Sequence, residues 1–400
     1  MTSRNYRYLP NIKSRLAGFF AFILLSACQP AGESEAGLIK LAQTDAVAAS
    51  QLASMRLANT EYDAALYWFR QAALLGDSQA LAHALQLQQR QQGRLATAQW
   101  LQQQLAAGDI SASTVSLTQR AELGLWPDKP FKQEPGYQHA QGCKLTLQPV
   151  ASQQGGVTRW LELQQQWQND KQLAQLPVCF LPLATVNSTV LACTEQSDTL
   201  LQCQYQMLDS LVAQGTFSQL VVIAGRGKAS YNNGILQLPD NASLALLRHE
   251  FMHVLGFIDE YELSYAAAQQ LCQPGHIYPN VIIGEDSRRY KQRWALAGDA
   301  ISLTAVDTCQ QTAQQAYRIS HDNNLMRSYE LALPPIYVAL AQQILQQPER
   351  LMPVQYYFAY LARQQQNWSQ WQRHMQLAAD WGYIDASKAL ALGGDSASAR

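Results

Sequence analysis

Two histidines four residues apart, with a glutamate directly after the first, form the pattern in this sequence with the clearest chemical meaning. They are His249, Glu250 and His253, in the order H-E-x-x-H. On a helix, positions four apart lie on one face, so both imidazoles can bind one metal ion while Glu250 reaches a water molecule beside it. A chance match to H-[Asp/Glu]-x-x-H is expected only about 0.01 times per chain of this composition. The spacing therefore predicts a zinc site in which Glu250 is the general base.

A catalytic zinc ion has three protein ligands and leaves one position open, so a third ligand is expected. Gly256 suits the end of the helix, and the turn that follows brings Asp259 back toward the histidines, giving H-E-x-x-H-x-x-G-x-x-D. We therefore predict His249, His253 and Asp259 as the metal ligands. Glu260 is the alternative third ligand.

This extended pattern resembles that of the metzincin zinc endopeptidases, with Asp in place of the usual third His, as in snapalysin-like enzymes. The run Asp259-Glu260-Tyr261 also resembles the bacterial IgA-peptidase family, whose motif ends in Asp-Glu-Tyr. That family has one more residue before the Asp and a Gly before the second His, where this chain has Met252. The resemblance implies a zincin-like fold, Zn²⁺ as the cofactor and a protein or peptide as the substrate.

The resemblance also implies roles for residues outside the motif. Metzincins place a methionine turn under the metal, and the run from Asn323 to Tyr329 fits that place, with Met326 as the floor. Tyr329 resembles the tyrosine that donates a hydrogen bond to the tetrahedral intermediate, although the metzincin Tyr lies two residues after the Met rather than three. Ile235–Leu238 fits the edge strand that pairs with an extended substrate, and 335–347 fits the C-terminal helix.

The favoured function is a zinc-dependent endopeptidase in which a metal-activated water attacks the peptide bond and Glu250 takes its proton. Two alternatives remain open. One is a tethered binding or assembly protein with a structural or vestigial zinc site, and the other is an amidase that acts on peptidoglycan. The intact Glu250 favours an enzyme, because a purely structural site has no use for a general base.

We expect the elements that position these residues to form an α+β domain over residues 136–347, with the zincin-like mixed sheet and active-site helix that the resemblance implies. The apolar and turn patterns predict that helix near 241–255, with Asp240 or Asn241 as its N-cap. Further strands are expected at Cys143–Val150, Leu176–Leu183 and Leu220–Ala224, and further helices near 158–168 and 197–213.

All-α segments are expected on both sides of this domain, at 36–125 and at 350–393, because both are rich in strong helix formers. The run Ala64–Ala73, followed by Leu75-Gly76-Asp77, resembles the helix-turn-helix unit of Sel1-like and tetratricopeptide (TPR) repeats. Such helical hairpins could bind a protein partner.

The N-terminus predicts secretion and lipid anchoring. Four basic residues precede an apolar run at 16–25, and Leu25-Ser26-Ala27-Cys28 resembles the bacterial lipobox. We therefore predict a lipoprotein signal peptide over 1–27 and a lipidated tether over 28–35. Gln29 after the cysteine favours the outer membrane, with the protein on its periplasmic face.

Cysteine usage and charge agree with that compartment. Six cysteines follow Cys28, an even number that is typical of disulfides in an oxidising compartment. Sequential pairing is the prediction: Cys143 with Cys179, Cys193 with Cys203, and Cys272 with Cys309. The formal net charge of −1 and the absence of a long basic run argue against nucleic acid as a partner.

Overall fold

The computed structural model describes residues 35–126, 135–284, 286–296 and 301–397. The chain divides into two compact units, one up to Ala84 and one from Leu85 onward. The predicted signal peptide and the tether up to residue 34 lie outside the described residues. Within the described ranges, no helix combines the length and the apolar character needed to cross a membrane.

The described part of the first unit, from residue 35 onward, consists of helices, as the composition of this stretch predicts. Asp45 caps its second helix by accepting a hydrogen bond from the Ala48 amide at 2.8 Å. The second and third helices bury small and apolar residues against each other, among them Leu52 and Phe69. The helices of this unit are α1 (Glu35–Leu41), α2 (Ala46–Ala58), α3 (Tyr62–Leu74) and the start of α4 (Ser78–Ala107).

Helix α4 continues into the second unit and is interrupted at Gly93, where φ is 86° and the backbone is not helical. Short 3-10 turns lie at Ala112–Thr114, Leu173–Gln175, Tyr205–Leu208, Asp307–Cys309 and Pro348–Arg350. The remaining described helices are α5 (Leu117–Glu122), α6 (Gln154–Asn169), α7 (Ser188–Leu191), α8 (Asp209–Val212), α9 (Leu244–Val254), α10 (Tyr265–Leu271), α11 (Ser287–Trp294), α12 (Pro335–Ile344), α13 (Val354–Gln364), α14 (Trp368–Asp380) and α15 (Ile384–Ala397).

The second unit is built on a six-stranded mixed sheet. The strands of the unit are β1 (Leu145–Ala151), β2 (Val178–Phe180), β3 (Ala184–Thr185), β4 (Glu195–Leu200), β5 (Gln219–Ile223), β6 (Arg226–Lys228), β7 (Ser230–Asn232), β8 (Ile235–Leu238), β9 (Val281–Ile283), β10 (Thr304–Val306) and β11 (Ala316–Arg318). The main sheet has the order β2-β1-β5-β8-β7, with β3 also on β1, and only β7 runs antiparallel to its neighbour. Two smaller sheets contain β10-β11-β9 and β4-β6.

The core that supports α9 lies between the main sheet and helices α6 and α9. Trp167 of α6 packs edge-on against Phe180 of β2 and Phe251 of α9, with ring centroids 5.2 and 4.9 Å apart. All three side chains are almost fully buried. Because fully burying one such apolar side chain contributes about 1.5–3 kcal/mol, this cluster fixes α9 against the sheet.

The coarse prediction of an α+β fold is confirmed, since helices and a mixed sheet share the second unit. The predicted helix at 197–213 is wrong. Residues Glu195–Leu200 form β4, which pairs with β6, and only a 3-10 turn and α8 follow. The Cys193–Cys203 disulfide closes a loop around β4, so no regular helix can run through this segment.

The predicted N-cap of the active-site helix is also wrong. Helix α9 is capped by Ser243, whose hydroxyl accepts a hydrogen bond from the Leu246 amide at 3.1 Å. Asp240 serves elsewhere, because its carboxylate accepts a 2.6 Å hydrogen bond from Arg94.

The segment Ile235–Leu238 is a strand, as predicted, but it is not an edge strand. Asn233 and Gly234 both have positive φ and form a two-residue turn that folds β7 back onto β8. Strand β8 therefore has β5 on one side and β7 on the other. On this side of the described sheet, the edge strand is β7.

All three predicted disulfides are confirmed: Cys143–Cys179, Cys193–Cys203 and Cys272–Cys309. The last of these brackets a segment between α9 and α12 that carries β9, α11 and β10. The C-terminal helices belong to the same compact unit, and the Val354 amide donates to the Ser218 carbonyl at 2.8 Å. The domain ranges predicted from the sequence stay predictions.

Candidate metal centre

Helix α9 presents His249 and His253 on one face, one turn apart. The helix ends at Val254, and Gly256 adopts φ +83°, a conformation that favours glycine and lets the chain turn back. Phe257 and Ile258 are buried beyond this turn and anchor the returning segment. The local sequence thus brings Asp259 to the two histidines.

The predicted ligands converge on one point. The Nε2 atoms of His249 and His253 lie 3.2 Å apart, and Asp259 Oδ1 lies 3.3 Å from the first and 3.4 Å from the second. Ligand atoms bound tetrahedrally to zinc at 2.0–2.1 Å are about 3.4 Å from each other. Among the described residues this is the one group of three or more His, Cys, Asp or Glu that could hold a metal ion.

The protonation of the two imidazole rings leaves atoms that can bind a cation. His249 Nδ1 is 2.8 Å from the Leu325 carbonyl and His253 Nδ1 is 2.9 Å from the Phe257 carbonyl. Because a carbonyl only accepts, each Nδ1 carries a proton, and in the neutral ring each Nε2 carries a lone pair. Asp259 Oδ1 is buried with no hydrogen-bond donor in the described part of the chain. Three electron-rich atoms thus face one another, and a metal ion fits between them.

The electrostatics of the metal-free group point the same way. Burial lowers the pKa of His253, but the contact with Asp259 outweighs burial and raises the pKa to about 9. Burial raises the pKa of Asp259, but its interactions with His249 and His253 hold that pKa well below its usual range. The three side chains therefore attract a positive charge at this position.

Glu250 is buried close to the three donor atoms. Burial raises the pKa of its carboxyl group above the usual value, although the charges of His253 and His249 act in the opposite direction. No described donor forms a hydrogen bond to its carboxylate. A carboxylate with a raised pKa and no protein partner is suited to accept a proton from a substrate or water.

Glu260, the alternative third ligand, points away from this group. It is fully buried, and its carboxylate accepts hydrogen bonds from Tyr337, Asn280 and Asn324. Burial raises the pKa of Glu260, and these three hydrogen bonds oppose that rise. The structure thus brings Asp259, not Glu260, to the histidines.

The predicted methionine turn lies against the same group. Met326 is fully buried, and its carbonyl accepts a hydrogen bond from the Glu260 amide at 2.9 Å. The neighbouring Leu325 carbonyl is the partner of His249. The segment that carries Met326 therefore touches both the helix and the returning chain.

The structure describes no contact between the Tyr329 hydroxyl and the three donors, and Tyr329 is 42% exposed. Tyr261 is equally exposed, but it interacts with the site. Burial raises the pKa of Tyr261, and the negative charge of Asp259 raises it further. Tyr261 is part of the Asp-Glu-Tyr run, but the sequence pattern alone predicted no role for it.

The sequence also gave no role to three polar side chains around Glu260. Asn280 lies before β9, Asn324 lies in the predicted methionine turn, and Tyr337 lies in α12. Each is almost fully buried. Their only sequence signal is a polar residue next to apolar ones, which does not name a partner.

Comparison of the chain with protein-family models, with curated proteins and with solved structures finds no match in any of the three.

Proposed function

We propose that this protein is a zinc-dependent endopeptidase of the zincin-like type, held at the outer membrane by a lipidated Cys28. The single observation that carries this proposal is the convergence of His249, His253 and Asp259 at 3.2–3.4 Å, with Glu250 beside them. A donor set of two imidazoles and one carboxylate is typical of catalytic zinc. The buried Met326 and the glycine turn support the zincin-like assignment.

Each side chain has a distinct task in this proposal. His249, His253 and Asp259 would hold the ion, and the Leu325 and Phe257 carbonyls fix the two imidazoles in the orientation that presents Nε2. A zinc ion held there supplies a Lewis acid that polarises an amide carbonyl and lowers the pKa of a water molecule. Glu250 accepts the proton of the attacking water and delivers it to the leaving amine.

The proposed reaction also needs a hydrogen-bond donor, because negative charge develops on the carbonyl oxygen of the substrate. Tyr329 is the candidate from the resemblance, and Tyr261 is the candidate from its contact with Asp259. The buried position of Glu250 supports an enzyme rather than a structural zinc site, because burying a carboxylate without a protein donor costs stability and a structural site gains nothing from it.

The test is metal content and proteolysis of the mature chain, run beside Glu250→Gln. We expect one zinc per chain in both proteins and cleavage of unfolded casein by the wild type alone, with kcat lowered at least about 100-fold in the variant. Glu162→Gln is the matched control, since Glu162 is an exposed acid on α6 and the change in charge is the same.

Two results would contradict the proposal. A wild-type protein that binds no zinc would remove the metal site. Equal cleavage by the wild type and Glu250→Gln would remove the general base. Zinc binding with cleavage of peptidoglycan fragments and of no protein would transfer the same chemistry to the amidase alternative.

A further inference from the structure

Glu260 is a buried carboxylate that the proposed reaction does not use. Three side chains from three different segments donate to it: Tyr337 to Oε1 at 2.5 Å, Asn280 to Oε1 at 3.0 Å and Asn324 to Oε2 at 2.8 Å. Burying a carboxylate is costly unless its oxygens are well bonded. Here the bonds join α12, the segment before β9 and the methionine turn to one residue.

One arm of this network leads to Asp259. Asn280 accepts from the Ile258 amide at 3.0 Å and donates to the Ile258 carbonyl at 2.7 Å, so it clamps the backbone immediately before Asp259. On the other side, Arg327 donates to the Glu260 carbonyl at 3.1 Å. Because the same Asn280 amide also donates to the Glu260 carboxylate, the position of Asp259 depends on Glu260.

A second arm leads to His249. Asn324 donates to Glu260 through Nδ2, and its Oδ1 accepts from the Met326 amide at 2.9 Å. This holds the turn in which the Leu325 carbonyl accepts from His249 Nδ1 at 2.8 Å. One carboxylate thus lies between the backbone that carries Asp259 and the carbonyl that orients His249.

We propose that Glu260 is a positioning residue that fixes the distance between Asp259 and His249 and so sets the affinity of this site for a divalent metal ion. The inference rests on the metal site of the proposed function. Partners that orient metal ligands commonly change metal affinity by about 10- to 100-fold when they are altered. Glu260 would act in this way on two ligands at once.

The test compares Glu260→Gln with Glu262→Gln in the full mature chain, by titrating zinc against a competing chelator. In Glu260→Gln an amide NH₂ group replaces one acceptor oxygen and meets donors on every side, so we expect the dissociation constant for zinc to rise about 10- to 100-fold. Glu262 is an exposed acid two residues away, and its variant should bind zinc as the wild type does.

Two further measurements distinguish the proposed positioning role of Glu260 from a role in folding alone. Near-ultraviolet circular dichroism of the metal-stripped proteins shows whether Glu260→Gln is folded at the titration temperature. Cleavage by the variant should return toward the wild-type rate as zinc is raised above the new dissociation constant, which a disordered site would not allow. Tyr337→Phe provides a milder variant, because it removes one donor to Glu260 and keeps the ring that packs on Phe257.

The outcomes distinguish this inference from the proposed function. A folded Glu260→Gln or Tyr337→Phe protein that binds zinc as tightly as the wild type overturns the inference and leaves the peptidase proposal intact. Weaker zinc binding in both variants supports the inference even if the wild type cleaves no peptide. A wild-type protein without affinity for any divalent ion overturns both.

Discussion

The Nε2 atoms of His249 and His253 lie 3.2 Å apart, while the Nδ1 atom of each ring is committed to a backbone carbonyl. Two nitrogen lone pairs at this distance repel each other unless a cation lies between or beside them. Without metal, a proton on His253 fills that need, and although burial lowers the pKa of His253, the contact with Asp259 outweighs burial and raises it to about 9. Proton and metal ion therefore compete for the same place.

The first prediction concerns pH and the stability of the metal-stripped protein. The pKa of His253 is about 9 in the folded state, against an ordinary value of 6.5. Protonated His253 therefore stabilises the folded state fully below pH 6.5, and this stabilisation of about 3 kcal/mol is lost as pH rises through 9. Thermal unfolding in chelator should show a melting temperature that falls over this range. Asp259→Asn should flatten the dependence, and an unchanged slope in that variant would contradict it.

The second prediction concerns the two tyrosines that are candidate donors to the transition state. Tyr261 and Tyr329 are equally exposed at 42%, but Tyr261 lies where the charge of Asp259 raises its pKa. We expect Tyr261→Phe to lower kcat for peptide cleavage by roughly 100-fold, as loss of a transition-state donor does, with little change in zinc affinity. Tyr329→Phe is the matched variant. A loss confined to Tyr329→Phe would assign the role to the residue that the resemblance indicates.

The third prediction concerns the ion pairs that hold the segment before α9. Arg94 donates to Asp240 at 2.6 Å and to both oxygens of Glu195 at 3.0–3.2 Å. Arg94→Met leaves two half-buried carboxylates without their partner, and we expect the free energy of unfolding to fall by about 2–4 kcal/mol.

The control for the Arg94 variant is an ion pair on the protein surface that has a similar distance between its charged atoms. Arg159 and Glu162 form a 2.9 Å pair on α6 with more exposed side chains. Arg159→Met should therefore cost less than about 1 kcal/mol. Equal losses in urea unfolding of the two variants would show that the Arg94 bonds carry no special weight.

The fourth prediction concerns the turn between β7 and β8. Gly234 has φ +81°, and an added Cβ would lie 2.4 Å from the Val354 amide nitrogen. We expect Gly234→Ala to lower the free energy of unfolding by at least about 3 kcal/mol, from backbone strain and from displacement of α13.

Gly108 gives the comparison that isolates the collision. It has φ +80° with open space around an added Cβ, so Gly108→Ala should show the strain alone, about 1 kcal/mol. Denaturant unfolding of both variants measures the difference. Similar costs would mean that α13 yields freely at this point.

Short sequence patterns are enough to predict several features of this structure. Helical spacing placed His249 and His253 on one face, and Gly256 marked the turn that returns Asp259, because both depend on a few consecutive residues. The hairpin at Asn233 and Gly234 follows from the positive φ that this pair tolerates. The sequence alone does not choose among the 15 pairings that six cysteines allow, and the structure confirms the sequential one.

Features that depend on distant residues could not be predicted in this way. The roles of Asp240 and Glu260 are decided by Arg94 and Tyr337, which lie far away in the sequence. The segment at 197–200 has a composition that permits a helix, and its pairing with β6 overrides that preference. Burial and long-range pairing thus determine which of two local options is adopted.

The close packing of α13 against the main sheet has a consequence for how the protein is made. Val354 and Phe358 complete an apolar cluster with Val150 of β1 and Leu220 of β5. These two strands are synthesised some 130 to 200 residues earlier than α13. Until the ribosome has released Phe358, that cluster stays open to solvent. The second unit therefore completes this cluster only after synthesis has passed Phe358, and the apolar faces of β1 and β5 lack this cover until then.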